Sequence, residues 1–172
     1  MHILSTPQPP TLSMHILSTP QPPTHSMHIL LKRYRKKPAT IDGYIKIADT
    51  YICDTAESAA HALPPGKYAI VTSHKGETNA GKLIIISTSP SSPSAHSSHS
   101  SPILSRPLAS SPILTSGNGV YTSRDSRILV GKYIVPGCLS HSGSIYKTLS
   151  DRIRRSISRG HEVTLKIEEE YR

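Results

Sequence analysis

Ile41-Asp42-Gly43-Tyr44-Ile45-Lys46-Ile47-Ala48-Asp49-Thr50-Tyr51-Ile52-Cys53-Asp54 decides the class of the fold. Ile45 and Ile47 alternate with Tyr44 and Lys46, the two-residue period of a strand with one buried face. Ala48-Asp49 then separates this run from Thr50–Asp54, so the stretch predicts a β-hairpin. On its N-terminal side, His28 to Tyr34 alternates in the same way, with Ile29 and Leu31 on one face. On its C-terminal side, Leu63-Pro64-Pro65-Gly66 is a turn, because proline pre-sets one backbone angle and glycine permits a positive one. Lys67 to Thr72 follows as a strand, and Lys82 to Ser87, with three consecutive isoleucines, predicts a strand buried on both faces.

Further along, Arg127 to Val135 reads as a strand ended by Pro136-Gly137, and Val163, Leu165 and Ile167 mark a last one. Between them lies the one convincing helix. Ile145, Leu149, Ile153 and Ile157 recur every four residues as a single apolar stripe, Ser142 or Ser144 offers a cap, and Gly160 offers a stop. The pattern predicts an α+β protein: a mainly antiparallel sheet or small barrel with one helix in its C-terminal half. Nothing in it suggests βαβ repeats.

The domain is expected to begin at Met27. Residues 1–13 are repeated as residues 14–26 with one change, His25 for Leu12, and both copies are proline-rich and uncharged. Such material is poor for a fold and reads as a disordered leader. From 27 to 172 the chain reads as one domain, interrupted at about 87–112 by a Ser/Pro-rich, low-complexity insertion. The core has no Phe and no Trp to draw on. It must be built from Ile, Leu, Val and Ala, with Tyr at the margins where its hydroxyl reaches water or a partner.

Twenty Lys and Arg against eleven Asp and Glu give a formal charge of +9, all of it after residue 26. The densest cluster is Lys32, Arg33, Arg35, Lys36 and Lys37, interleaved with Tyr34. A second comprises Arg152, Arg154, Arg155 and Arg159. Positive charge of this size suits a solvated face, nucleic acid, an anionic membrane surface, or an anionic wall polymer such as peptidoglycan. In the first cluster Tyr34 could stack on a base while its neighbours meet phosphates, although alternation splits those side chains between two faces. Two cysteines, Cys53 and Cys138, without a signal peptide point to reduced thiols and a cytoplasmic location, and no apolar run is long enough to span a bilayer.

Sites of chemistry are sparse. Cys138 and His141 lie three apart with nothing to orient them. His96 and His99 have metal-like spacing but no further ligands, so neither a metal nor any other cofactor is expected. Gly66-Lys67 lacks the upstream glycine of a phosphate-binding loop. Asp54 and Glu57 are expected to hold a turn or balance a nearby lysine.

Leu31-Lys32-Arg33, Tyr51-Ile52-Cys53-Asp54-Thr55-Ala56-Glu57, Leu63-Pro64-Pro65-Gly66-Lys67-Tyr68, Gly117-Asn118, Ile128-Leu129-Val130-Gly131 and Arg159-Gly160-His161-Glu162-Val163-Thr164-Leu165 occur in an order that resembles a domain-of-unknown-function family (number five-six-seven-five) of gut-type bacteria and their phages. Many members carry a His-x-Gly-Asn segment before a Gly-Cys-Ile-Leu-Val-Gly segment, similar to the histidine and cysteine of L,D-transpeptidases. Here Thr115 and Arg127 stand at those two positions, and an arginine cannot serve as the nucleophile. The resemblance therefore implies a non-catalytic binding module with a groove at Gly117, Asn118, Arg127 and Gly131. The alternatives are a wall-peptide enzyme working through Cys138 or a substrate-supplied group and a nonspecific nucleic-acid binder.

Overall fold

The computed structural model describes residues 26–73, 82–88, 111–120 and 126–171. The leader up to residue 25, the loop at 74–81 and most of the Ser/Pro-rich insertion, with His96 and His99, lie outside these residues. Nine strands and one helix are present among them: β1 (Met27–Lys36), β2 (Thr40–Ile47), β3 (Thr50–Ser58), β4 (Gly66–Thr72), β5 (Leu83–Ser87), β6 (Ile113–Ser116), β7 (Arg127–Val135), β8 (Cys138–Ser140), α1 (Ser142–Ser158) and β9 (Val163–Glu169).

The strands pair in the order β3-β2-β1-β9-β4-β5-β6-β7, and β7 returns to β3, so eight of them close a barrel. β8 folds back on β7 outside it. The sheet is mixed. β1 and β9 run parallel from Met27↔Val163 to Arg33↔Glu169, and β6 and β7 run parallel, whereas the other barrel seams are antiparallel. The barrel is thus mainly antiparallel, as expected, with two parallel seams that the pattern did not announce: a local period says that a segment is a strand but not which strand it pairs with or in which direction.

The predicted hairpin forms as β2–β3, and both of its turn residues, Ala48 and Asp49, have positive φ (49° and 61°). That is the geometry of a tight two-residue hairpin, here built without glycine at a cost of about 1 kcal/mol per strained residue. The three-isoleucine strand is buried on both faces only through Leu83, Ile84 and Ile85; Ile86 is exposed. β6 and β8 were not legible, being four and three residues long. Strands that short exist through their neighbours, not through their own pattern.

The barrel interior is filled by alternate residues: Ile29 and Leu31 of β1, Ile45 and Ile47 of β2, Cys53 of β3, Ile70 of β4, Leu165 and Ile167 of β9. α1 lies across the end where β1 begins and β2 turns into β3. It drives Leu149 and Ile153 into the same apolar cluster, with Ile145 and Ile157 beside it. Its start is fixed in an unexpected way. The N-cap residue is His141, in the left-handed region, with no side-chain cap bond. Ser142 Oγ instead donates to the Val130 carbonyl (2.5 Å) and accepts from the Gly117 N–H (2.7 Å), tying the helix to β7 and to the segment after β6. At the other terminus Gly160 closes the helix as expected, its N–H bonding to the Ile157 carbonyl at 2.9 Å.

Both cysteines are free thiols. Burial inside the barrel pushes the Cys53 thiol up to about 12, with Asp54 adding to the shift and a hydrogen bond from the Gly131 backbone opposing it. Because the folded value lies above the unfolded one, this thiol's contribution is intact below about pH 9 and is lost as pH rises toward 12. At pH 10 it should cost roughly 1 kcal/mol of stability, and a Cys53→Ala chain should lack that alkaline loss. In thiol titrations Cys53 should react at least about a hundredfold more slowly in the folded than in the unfolded protein. Equal rates would mean that the barrel opens readily.

Candidate functional site

Gly117, Asn118 and Gly131 come together, and they do so in a packed annex. The Asn118 carbonyl accepts from the Leu139 N–H (2.9 Å), and the Val120 N–H donates to the Gly137 carbonyl (3.2 Å). Leu139, Val120, Leu129 and Ala56 form a second small apolar cluster there. At Gly131 even a Cβ would sit 2.7 Å from Leu139 Cβ, so β8 covers this stretch of β7. Gly137 makes the adjoining turn with φ +73°, where a Cβ would lie 2.5 Å from Thr40 Cγ2. Arg127 is four residues upstream of Gly131 at the exposed start of β7, opposite Ile113. Thr115 pairs with Leu129, which places Thr115 and Arg127 on the same face of the β6/β7 pair, one pleat repeat apart.

The basic cluster of β1 divides, and Arg33 leaves the surface altogether. Continuing the inward alternation of Ile29 and Leu31, its side chain enters the barrel and is 1% exposed. Its Nε and Nη2 donate to the two oxygens of Glu57 (2.9 and 2.7 Å), and its Nη1 donates to Glu169 (2.9 Å) at the lip. Burial pushes the Glu57 carboxyl up, against the pull of Arg33. Partial burial also opposes ionisation of Glu169, but hydrogen bonds from Tyr171 and Arg33 hold it below the usual carboxylate range. Glu57 thus balances a buried arginine, where a lysine was expected. This trio closes the barrel end opposite α1.

A register shift between Arg33 and Arg35 re-aims the next residues outward. Arg35 Nε donates to Asp42 (2.9 Å), whose other oxygen accepts the Gly137 N–H (2.9 Å). The guanidinium lies over the rings of Tyr133 (4.7 Å) and Tyr34 (5.6 Å). Tyr34 stacks on Tyr44, with centroids 6.1 Å apart and planes 28° apart, and Tyr44 meets Tyr51 at 6.3 Å. Lys46 Nζ sits 5.6 Å from the Tyr44 centroid. Lys32 pairs with Glu170, Lys36 lies over Tyr171 at 5.8 Å, and Lys37 is exposed. The outer face of β1–β2–β3 therefore carries a row of three tyrosines flanked by cations, with a hollow of about 470 Å³ lined by Lys32, Tyr34, Arg35, Tyr44 and Glu170.

Tyr44 and Tyr51 were not singled out from sequence as site residues, and neither was Lys46. The signal was present in the hairpin: Lys46 faces Tyr51, and Tyr44 faces Lys32, on the side away from the isoleucines. Asp54 binds the Tyr133 N–H (2.8 Å), so it orders this face. Cys138 belongs to the annex, bridged to Gly119, while His141 contacts Ser140 Oγ at 3.1 Å. No group of three or more potential metal ligands occurs among the described residues. Among them no helix is long and apolar enough to cross a membrane.

Comparison with protein-family models, with curated proteins and with solved structures finds no match to this chain.

Proposed function

We propose that the protein is a binding module for single-stranded nucleic acid, with the outer face of β1–β2–β3 as its platform. The observation that carries this reading is the row Tyr34–Tyr44–Tyr51 set among Lys32, Arg35 and Lys46. Aromatic rings offer flat faces to unpaired bases of any sequence, and the cations between them meet the phosphates. Half of the chain's eight tyrosines (Tyr34, Tyr44, Tyr51 and Tyr133) gather here, although tyrosine is its only aromatic residue type. The strong positive balance of the chain supplies the long-range attraction.

Two substitutions separate stacking from charge. Tyr51→Ala, at a ring 53% exposed, should weaken binding of an oligothymidylate by about 1–3 kcal/mol and leave its salt dependence intact. Lys46→Glu should lower affinity and flatten the slope of log K against log salt by about one unit. Duplex of the same length should bind more weakly than the single strand, because its base faces are occupied. Equal binding of duplex and single strand, together with a neutral Tyr51→Ala, would reduce the interaction to charge alone and remove the platform reading.

A further inference from the structure

The second basic cluster has a place in the fold that the tyrosine row does not use. Arg152, Arg155 and Arg159 follow one another at three- and four-residue spacing, so they share one face of α1 and its end. That face looks onto the start of β1. Between them lies a cleft of about 490 Å³ with Met27 and Ile47 in its lining and His28 at its edge. The volume suits a nucleotide-sized ligand, since small-molecule sites span roughly 300–1,000 Å³.

Negative charge is what the cleft lacks. Among the described residues no carboxylate lines it. Asp151, the one acid of α1, is already bound by Lys147 at 2.7 Å, and that bond, with Arg154 and Arg155 adding to it, holds its carboxyl below the usual range. Neighbouring guanidinium groups repel one another until an anion enters, and their planar forks match phosphate oxygens in pairs. The edge is ordered: His28 Nδ1 shares a hydrogen bond with Thr164 Oγ1 (2.7 Å) and Nε2 with Ser26 Oγ (2.8 Å). Cation and apolar lining together fit a phosphate group that carries an organic body.

The cleft also joins the platform. His28 and Ala48 line both it and a hollow of about 500 Å³ over β1 that includes Lys46, Lys67 and Lys166 beside Asp49 and Glu168. From His28 the outward residues of β1 lead through Leu30 and Lys32 to Tyr34. We infer that the cleft is a phosphate monoester site and, resting on the proposed strand-binding function, that it takes the terminal phosphate of a strand whose bases lie on the tyrosine row. A free nucleotide presents the same chemistry.

The test compares short oligothymidylates on the full-length protein by fluorescence anisotropy: one with a 5′-phosphate, one with a 3′-phosphate and one with hydroxyls at both ends. Thymidine monophosphate and inorganic phosphate are titrated separately while the arginine and histidine side-chain NMR signals are followed. One phosphorylated end should bind about tenfold more tightly than the hydroxyl strand, the size of one charge-assisted interaction. Arg155→Gln with Arg159→Gln, both at exposed positions, should erase that preference, leave the hydroxyl strand's affinity within about threefold, and abolish the shifts caused by monophosphate. A monophosphate that binds while the hydroxyl strand does not would uphold the cleft as a free-nucleotide site and defeat the strand reading. Equal affinities for all three strands, with no cleft signal moved by monophosphate, would overturn the inference. So would a preference that survives the double substitution.

Discussion

Glu57→Ala should destabilise the protein by roughly 3–5 kcal/mol, a large part of the total for one domain of this size. The cause is the charge that it strands. Arg33 is 1% exposed and gives two of its three carboxylate hydrogen bonds to Glu57. Without that partner, a guanidinium that cannot lose its proton is left in the barrel with only Glu169 at the lip. The double substitution Arg33→Met with Glu57→Leu should recover most of the loss or exceed wild type, because it removes both desolvated charges and fills the space with apolar volume. Urea denaturation of the single and double variants checks both statements. A double variant as unstable as Glu57→Ala would show that the pair is needed for its specific hydrogen bonds and not only for neutrality. The trio also has a definite pH signature. Glu169 is held below its ordinary value of 4.5, so its contribution is present above about pH 4.5 and is lost as pH falls through the lowered value. Glu57, shifted upward, acts in the opposite sense. Glu169→Gln should therefore blunt the loss of stability on acidification.

The opposite end of the barrel offers the second large effect. Ile153 is 0% exposed and projects from α1 into the central cluster. Ile153→Ala should cost about 2–5 kcal/mol, the lost transfer energy plus the cavity left behind. Lys147→Ala, on the same helix at a side chain 79% exposed, removes only the i,i+4 pair with Asp151. It should leave the denaturation midpoint nearly unchanged, because solvent screens an exposed pair. If the two variants lost similar amounts, α1 would be held by its own helix-forming tendency and not by docking. Docking also serves the proposed phosphate site, since it is what faces Arg152, Arg155 and Arg159 toward β1. Ile153→Ala should accordingly weaken the phosphate preference by more than it weakens binding of a hydroxyl-ended strand.

Candidate residues were legible where chemistry and period coincide locally. Tyr34 among its basic neighbours was marked by composition, and the arginines of α1 by their clustering. Arg33 was grouped with that surface cluster, yet the alternation that buries Ile29 and Leu31 also points Arg33 inward. Its partners, Glu57 and Glu169, lie 24 and 136 residues away. No local pattern connects residues that distant. The Gly117, Asn118 and Gly131 segment could not be placed from sequence because β8, the element that covers it, is three residues long.

Seven of the nine described strands are legible in local pattern, with the hairpin at Ala48-Asp49 and a helix with its apolar stripe and its stop at Gly160. Each depends on contacts between residues near one another in the chain, and a local period encodes those. The tertiary structure alone decided the closure of β3 on β7, the parallel seam of β1 with β9, the burial of Arg33, and the meeting of the α1 arginines with the start of β1. Alternation fixes which side chains share a face. It leaves open which partner covers that face, and that choice is made by the whole barrel as it buries its apolar surface and pairs its charges.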